Sequence, residues 1–392
     1  MIKEVQEKTN NNLFDWLLVL GLVLAPMTSL RFWKIGPAES LVFIWCLRQV
    51  KRQFELNDIS WFYIIFLACQ ILGTIWCLII SPSEVALALY SSWFYLGFVS
   101  IYMYVGLKKY DLAYVKKLFS LFANISVFWY AFLFLYARFI GSKFLGAQLW
   151  YGTQRFSGGA TNPHQISILF CGLLMYFLRE VFYKERVVFN IFKIFICFYI
   201  VLQTKSSTGV MAIFLGVFAG VLLFTSKLST SKIKRAIIMF SEILIITLLV
   251  IVLFNKFYYY IYYWIASDSN GLGRFYLFSQ TKDVFLKSPI VGLGPGWHVI
   301  SLKGEPIEIH NTFLEVLASA GILGLFELLV FTYKQVIKIV RVDTLYLPII
   351  VSIYAYGLSG FSLRKLVYWG LTVFVLIIVE KEHDNNSVGL HV

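Results

Sequence analysis

The sequence predicts an all-α polytopic membrane helix bundle, on three observations. Of its 392 residues 59% are hydrophobic and only 14% charged, and the mean hydropathy is +0.76, far from the balance of a soluble domain. Apolar runs of membrane length, each needing about 20 residues to cross a bilayer, recur along the whole chain. Basic residues gather in alternate connections between those runs, as the positive-inside rule requires of cytoplasmic loops.

About twelve transmembrane spans are expected, over 13–30, 36–50, 59–80, 85–107, 117–140, 164–180, 187–204, 207–225, 236–255, 311–333, 344–360 and 365–380, in a single integral membrane domain covering 1–392. Arg48, Lys51 and Arg52, then Lys108, Lys109, Lys116 and Lys117, then Arg179, Lys184 and Arg186 mark successive inner connections. Lys227, Lys232, Lys234 and Arg235, and finally Lys334, Lys338 and Arg341, continue the alternation. This puts both termini in the cytoplasm and 31–36, 81–84, 141–163, 205–206, 256–310 and 361–364 outside. It also argues against nucleic acid as the partner of a chain with net charge +13, because the positive charge is spread over loops and forms no single patch. The run Leu13–Leu30 is read as a first span, since no small-x-small cleavage site follows it. Cys46, Cys69, Cys77, Cys171 and Cys197 lie in apolar runs without CxxC or Cys/His clustering, so they are read as buried apolar residues, with no disulfide and no zinc site. The tail from Lys381 reads as disordered.

In the first five spans only Glu39 carries chemistry: an intramembrane acid could line a cavity, but its place two residues after Pro37 favours a first-turn helix acid. The outer connection GSKFLGAQLWYGTQRFSGGATNPH holds Arg155 beside Gly158 and Gly159, then the helix start Asn162-Pro163. A guanidinium offers a planar fork of donors that suits a phosphate or diphosphate oxyanion; an interfacial arginine on lipid headgroups is the equal alternative. His164 reads as a helix N-terminal residue. Lys205, in the short turn between the seventh and eighth spans, either points into an outer cavity or snorkels to the headgroups.

The long outer segment 256–310 opens on the aromatic belt Phe257–Trp264. From Arg274 to Lys287, Leu277, Phe278, Val284 and Phe285 form a helical stripe too polar to span, so an interfacial helix is expected, stopped by Ser288-Pro289. Gly292-Leu293-Gly294-Pro295-Gly296 lacks the spacing and flanking residues of a phosphate loop and reads as a tight turn returning the chain to the membrane surface. His298, beside Trp297, reads as interfacial. His310-Asn311 stands directly above the tenth span, with Glu315 one turn in and Gly321 and Gly324 allowing close helix packing. Arg364 sits in the last outer turn, where an anchoring role is favoured over a site role. No metal motif and no paired carboxylates appear, Asp268, Asp283, Glu305 and Glu308 being scattered.

His310-Asn311, nine residues, Gly321, two residues, Gly324 resembles the signature of the O-antigen polymerase and O-antigen ligase family, membrane glycosyltransferases that use undecaprenyl-diphosphate-linked glycans. Gly273-Arg274 followed by Lys287-Ser288-Pro289 and the glycine turn, and Arg155 with Gly158 and Asn162-Pro163, resemble the family's outer arginine segments. Where ligases commonly carry Gln-Thr-Arg, this chain has Gln203-Thr204-Lys205, which keeps the charge and loses the bidentate fork.

The resemblance implies a bacterial cytoplasmic-membrane enzyme whose site faces the periplasm, with a lipid-linked glycan donor, a glycan or lipid-linked acceptor and a chain-length regulator as partners, and no cofactor or metal. Arg155, Arg274 and Lys205 would hold the diphosphate, with Asn311 and Arg364 as further binding residues and His310 as general base. A polymerase is favoured over a ligase because of Lys205. A lipid-linked-sugar flippase would instead show related halves or charges deep in its spans, and a scaffold would need no converging cations.

Overall fold

The computed structural model describes residues 13–31, 35–51, 56–152, 154–227, 269–296, 298–302, 304–358 and 360–389, with a few positions between 233 and 244. The span expected at 236–255 and the aromatic run 257–264 thus lie almost wholly outside the described residues.

Twelve α-helices are present among the described residues: α1 (Asp15–Leu24), α2 (Pro37–Gln49), α3 (Asp58–Ile80), α4 (Tyr90–Lys108), α5 (Leu112–Phe139), α6 (His164–Phe182), α7 (Val187–Gln203), α8 (Ser207–Lys227), α9 (Ser269–Lys287), α10 (Thr312–Val342), α11 (Leu347–Gly357) and α12 (Leu366–Gly389). Five of them, α3, α5, α6, α8 and α10, are long and apolar enough to cross a membrane. The expectation of a membrane helix bundle is met at this level. Three antiparallel hairpins were not expected: Lys143–Phe144 with Ala147–Gln148, Trp150–Tyr151 with Arg155–Phe156, and Val299–Ile300 with Pro306–Ile307. Each is only two residues a side, too short for its alternation to be seen in the sequence.

Two ends differ from expectation. The helix of the first run stops at Leu24, where Pro26 cannot donate to continue it. The tail does not unravel at Lys381; α12 continues to Gly389, because its charged turn is tied down. Glu380 accepts from Lys338 at 2.6 Å, Glu382 pairs with Lys116 at 2.7 Å, and Lys381 donates to the Lys108 carbonyl at 2.6 Å.

The core is aromatic. Phe62 and Phe66 of α3 stack at 5.3 Å, Phe62 meets Phe331 of α10 at 5.0 Å, and Tyr63 meets Trp369 of α12 at 4.9 Å. A second lock is polar: buried Asp15 of α1 accepts from Trp45 at 2.9 Å, Tyr110 at 2.8 Å and Tyr114 at 2.9 Å, joining α1, α2, the α4–α5 turn and α5. A carboxylate taken out of water needs such donors.

The feature that positions everything downstream is a break in α10. Gly321 has φ 64° and ψ −164°, so the helix is interrupted there. The segment Pro289–Gly294 fills the break. Leu293 and Gly294 donate to the Ala318 and Ser319 carbonyls, both at 2.9 Å, while Ile322 and Leu323 donate to the Pro289 and Ile290 carbonyls at 2.9 and 3.2 Å. Gly321 is therefore a helix breaker, where close helix packing was expected, and the glycine turn is a plug docked into that break. A Cβ on Gly292 would stand 2.5 Å from the Ala320 nitrogen, and one on Gly73 of α3 would stand 2.7 Å from the Gly292 oxygen.

Gly321→Ala should lower stability by roughly 3 kcal/mol or more, since this φ/ψ region is essentially glycine-only and the Ile290 backbone blocks a side chain. Gly141→Ala, with its nearest neighbour at 3.9 Å, should be close to neutral. Thermal unfolding in detergent measures both, and equal melting would contradict the plug.

Candidate active site

Three helix N-termini meet at one end of the bundle. His164 is the first residue of α6, Ser206 precedes α8 and accepts from Gly209 N at 3.1 Å, and Asn311 caps α10. His164 Nδ1 lies 3.2 Å from Ser206 Oγ, and its ring meets Tyr356 of α11 edge-on at 6.0 Å. Each N-terminus carries the partial positive charge of its helix dipole, which favours an anion.

Cations stand around this point. His164 feels the charges of Arg155, Arg274, His310 and Lys365, in that order. Arg155 is presented by the second hairpin, with Nε donating to the Thr204 carbonyl at 2.9 Å and its guanidinium 5.9 Å from the Tyr151 ring. The neighbouring glycines are not slack: Gly158 has φ +51°, and a Cβ there would press 2.5 Å from Ile166 Cδ1. Arg274 reaches from α9 to Thr208 Oγ1 of α8 at 3.5 Å. Arg155 and Arg274 thus both reach the turn between α7 and α8, at Thr204 and Thr208, on which His164 rests through Ser206, and the charge of His310 acts on His164.

His310 has φ 60°; among the described residues it and Lys205, at φ 49°, are two of five non-glycine residues with positive φ. Such a conformation costs on the order of 1–3 kcal/mol and persists only where its surroundings impose it. Here Ile309 N donates to Glu315 Oε2 at 2.8 Å, and Asn311 Oδ1 accepts from Phe313 and Leu314 at 2.9 and 3.0 Å. Asn311 Nδ2 also donates to the Leu358 carbonyl at 2.7 Å, so its amide holds the backbone. Burial lowers the imidazole of His310 from its ordinary range; Glu308 pulls the other way, and Arg274 and Lys365 add to the lowering. The neutral form, able to accept a proton, is the resident one near neutrality.

Two other candidates have side-chain partners of their own. Lys205 donates to Gln154 Oε1 at 2.6 Å in an exposed pair. Arg364 is paired with Glu308, and it is the next residue, Lys365, that acts on His310. Sequence reasoning missed Glu308 and Lys365 as neighbours of His310, and gave His164 only its helix-start role, which it also has. A groove of ≈ 420 Å³ between α3 and 287–291, lined by Leu72, Ile75, Trp76 and Ile79, holds none of these residues.

Imidazole NMR should find His310 titrating below 6.5, with Arg274→Gln moving it up and Glu308→Gln moving it further down. Titration of His310 at or above 6.5, unmoved by either change, would contradict this arrangement.

Residues 192–329, about a third of the chain, match a family model described as O-antigen ligase. The match runs from within α7 through the Arg274 helix, the glycine plug and His310 into α10, and it bears out the resemblance to the O-antigen polymerase and ligase family. No curated protein matches the chain.

Proposed function

We propose that this chain is a membrane glycosyltransferase that moves a glycan from undecaprenyl diphosphate to a sugar hydroxyl, polymerising the repeat units of O-antigen or a similar surface polysaccharide. The observation that carries it is that Arg155 and Arg274 both reach the α7–α8 turn beside His164, with His310 ahead of the N-terminus of α10. A diphosphate leaving group gains negative charge as its bond to the sugar breaks, and preorganised guanidinium and helix N–H groups stabilise charge where it develops. The acceptor hydroxyl attacks the anomeric carbon, its proton passes to the neutral imidazole of His310, and the carbon–oxygen bond to the diphosphate breaks. One such displacement inverts the anomeric centre. Arg364 and Asn311 hold Glu308 and the last turn beneath the site, and Lys205 lies at its rim. In this reading twelve spans leave both termini in the cytoplasm and the site facing outside.

Ligation to lipid A core is the second reading, favoured by the description of the matching family model. Lys205 in place of the ligases' arginine favours the polymerase.

Lipopolysaccharide banding of a deletion strain separates the two: single repeat units on the core mark a lost polymerase, a bare core with lipid-linked polymer a lost ligase. His310→Ala, Arg274→Ala and Arg155→Ala should each cost about 10²–10⁴-fold in transfer rate and reproduce the deletion; wild-type banding in all three would sink the site. Because the proposed base works in its neutral form, transfer should persist at pH 6.5 and fall only as the pH drops below the lowered value of His310.

A further inference from the structure

A second cluster lies where α3 ends, on the far side of the glycine plug. The Sγ of Cys77, a carboxylate oxygen of Glu84 and a ring nitrogen of His298 all stand within 4.8 Å of one another. Cys77 is fully buried and the His298 side chain is only 1% exposed. His298 Nε2 bonds the Gly294 carbonyl at 2.8 Å, which fixes the proton on that nitrogen and leaves Nδ1 as a lone pair. That lone pair faces Glu84 Oε2 at 3.5 Å, and neither atom has a hydrogen-bond partner. Two buried acceptors turned toward each other require a cation between them. A proton shared by this pair would leave the third donor, the buried Cys77 Sγ within 4.8 Å of both, without a role.

We propose that Cys77, Glu84 and His298 bind one divalent cation of the zinc class, which clamps the glycine plug to the end of α3. Thiolate, imidazole and carboxylate together select zinc or cobalt over magnesium or calcium. A carbonyl-bound imidazole is the usual outer support of a metal-ligating histidine. At bond lengths of roughly 2.0–2.3 Å, closing the three ligands onto one ion takes side-chain shifts of about 1 Å. Thiolate and carboxylate neutralise the ion, and the Cys77 thiol releases one proton as it binds. Lys287 occupies the other oxygen of Glu84 at 3.0 Å. Gly296 packs against this imidazole, since a Cβ there would stand 2.5 Å from its Cε1, and bridges to Val85; the ion would therefore reinforce a junction the backbone already makes. The site is separate from glycan transfer and stands or falls without it.

The test uses the full chain purified in detergent, free of any affinity tag and stripped with chelator, titrated with cobalt(II) and then zinc(II). One cobalt per chain should bind with a thiolate-to-metal charge-transfer band and tetrahedral visible bands, displaced by one zinc, and zinc should raise the melting temperature. Cys77→Ser should remove the charge-transfer band, and His298→Gln should weaken zinc by more than about 100-fold. Glu84→Gln, an isosteric change on the half-buried turn after α3, should weaken it by more than about tenfold. Wild-type protein that binds no more metal than Cys77→Ser, or a charge-transfer band that survives that change, would overturn the proposal.

Discussion

The four backbone hydrogen bonds between Pro289–Gly294 and the two halves of α10 are the constraint from which the rest follows. In a bilayer no water is at hand for the N–H and C=O groups that a broken helix frees, and each left bare costs several kcal/mol. Here the plug answers both sides of the break, its N–H groups meeting Ala318 and Ser319 and its carbonyls meeting Ile322 and Leu323. That demands glycine at 292 and 321 and a bare α3 surface at Gly73. The gain is positional. The plug follows directly on the helix carrying Arg274, and the half-helix it supports begins at His310-Asn311, so two site residues are fixed relative to one another by backbone.

Electrostatics then divides the bundle into two kinds of polar region. At the end bearing α12's charged turn, acids and bases are matched: Asp343 takes Arg179 at 2.9 Å and Lys227 at 2.5 Å, and although burial raises its carboxyl, those two cations hold it below the usual range. Around His164 and His310 the acting charges are mostly positive, with Glu308 opposing them at His310 and itself paired with Arg364. Matched pairs hold a fold together; guanidiniums with no ion pair among the described residues, over helix N-termini, make a place for an anion.

Helices were legible because apolar runs and punctuation by Pro, Gly and charge are local. Arg155, Arg274 and His310 were legible as site candidates through the resemblance of the motifs that hold them, and what the fold adds is that Arg155 and Arg274 reach the same turn between α7 and α8. The break at Gly321 was not legible: LEVLASAGILGLFELL keeps an apolar helical pattern straight through it, and only a partner from another segment makes the break affordable. Lys365 was missed for Arg364 because side-chain direction in a turn depends on what the turn packs against, here Thr312, whose Oγ1 donates to Gly360 O at 2.8 Å. Cys77 read as an apolar residue since Glu84 and His298 reach it from other parts of the chain.

The central claim is that Arg155 and Arg274 jointly receive a lipid diphosphate. Binding of undecaprenyl diphosphate to the purified chain, compared across wild type, Arg155→Ala, Arg274→Ala and the distant Arg341→Ala, tests it most directly. The account predicts that each of the first two weakens binding by more than about tenfold, as loss of a charge-assisted contact should, and that Arg341→Ala binds as wild type does. Equal affinity in all four proteins would contradict it.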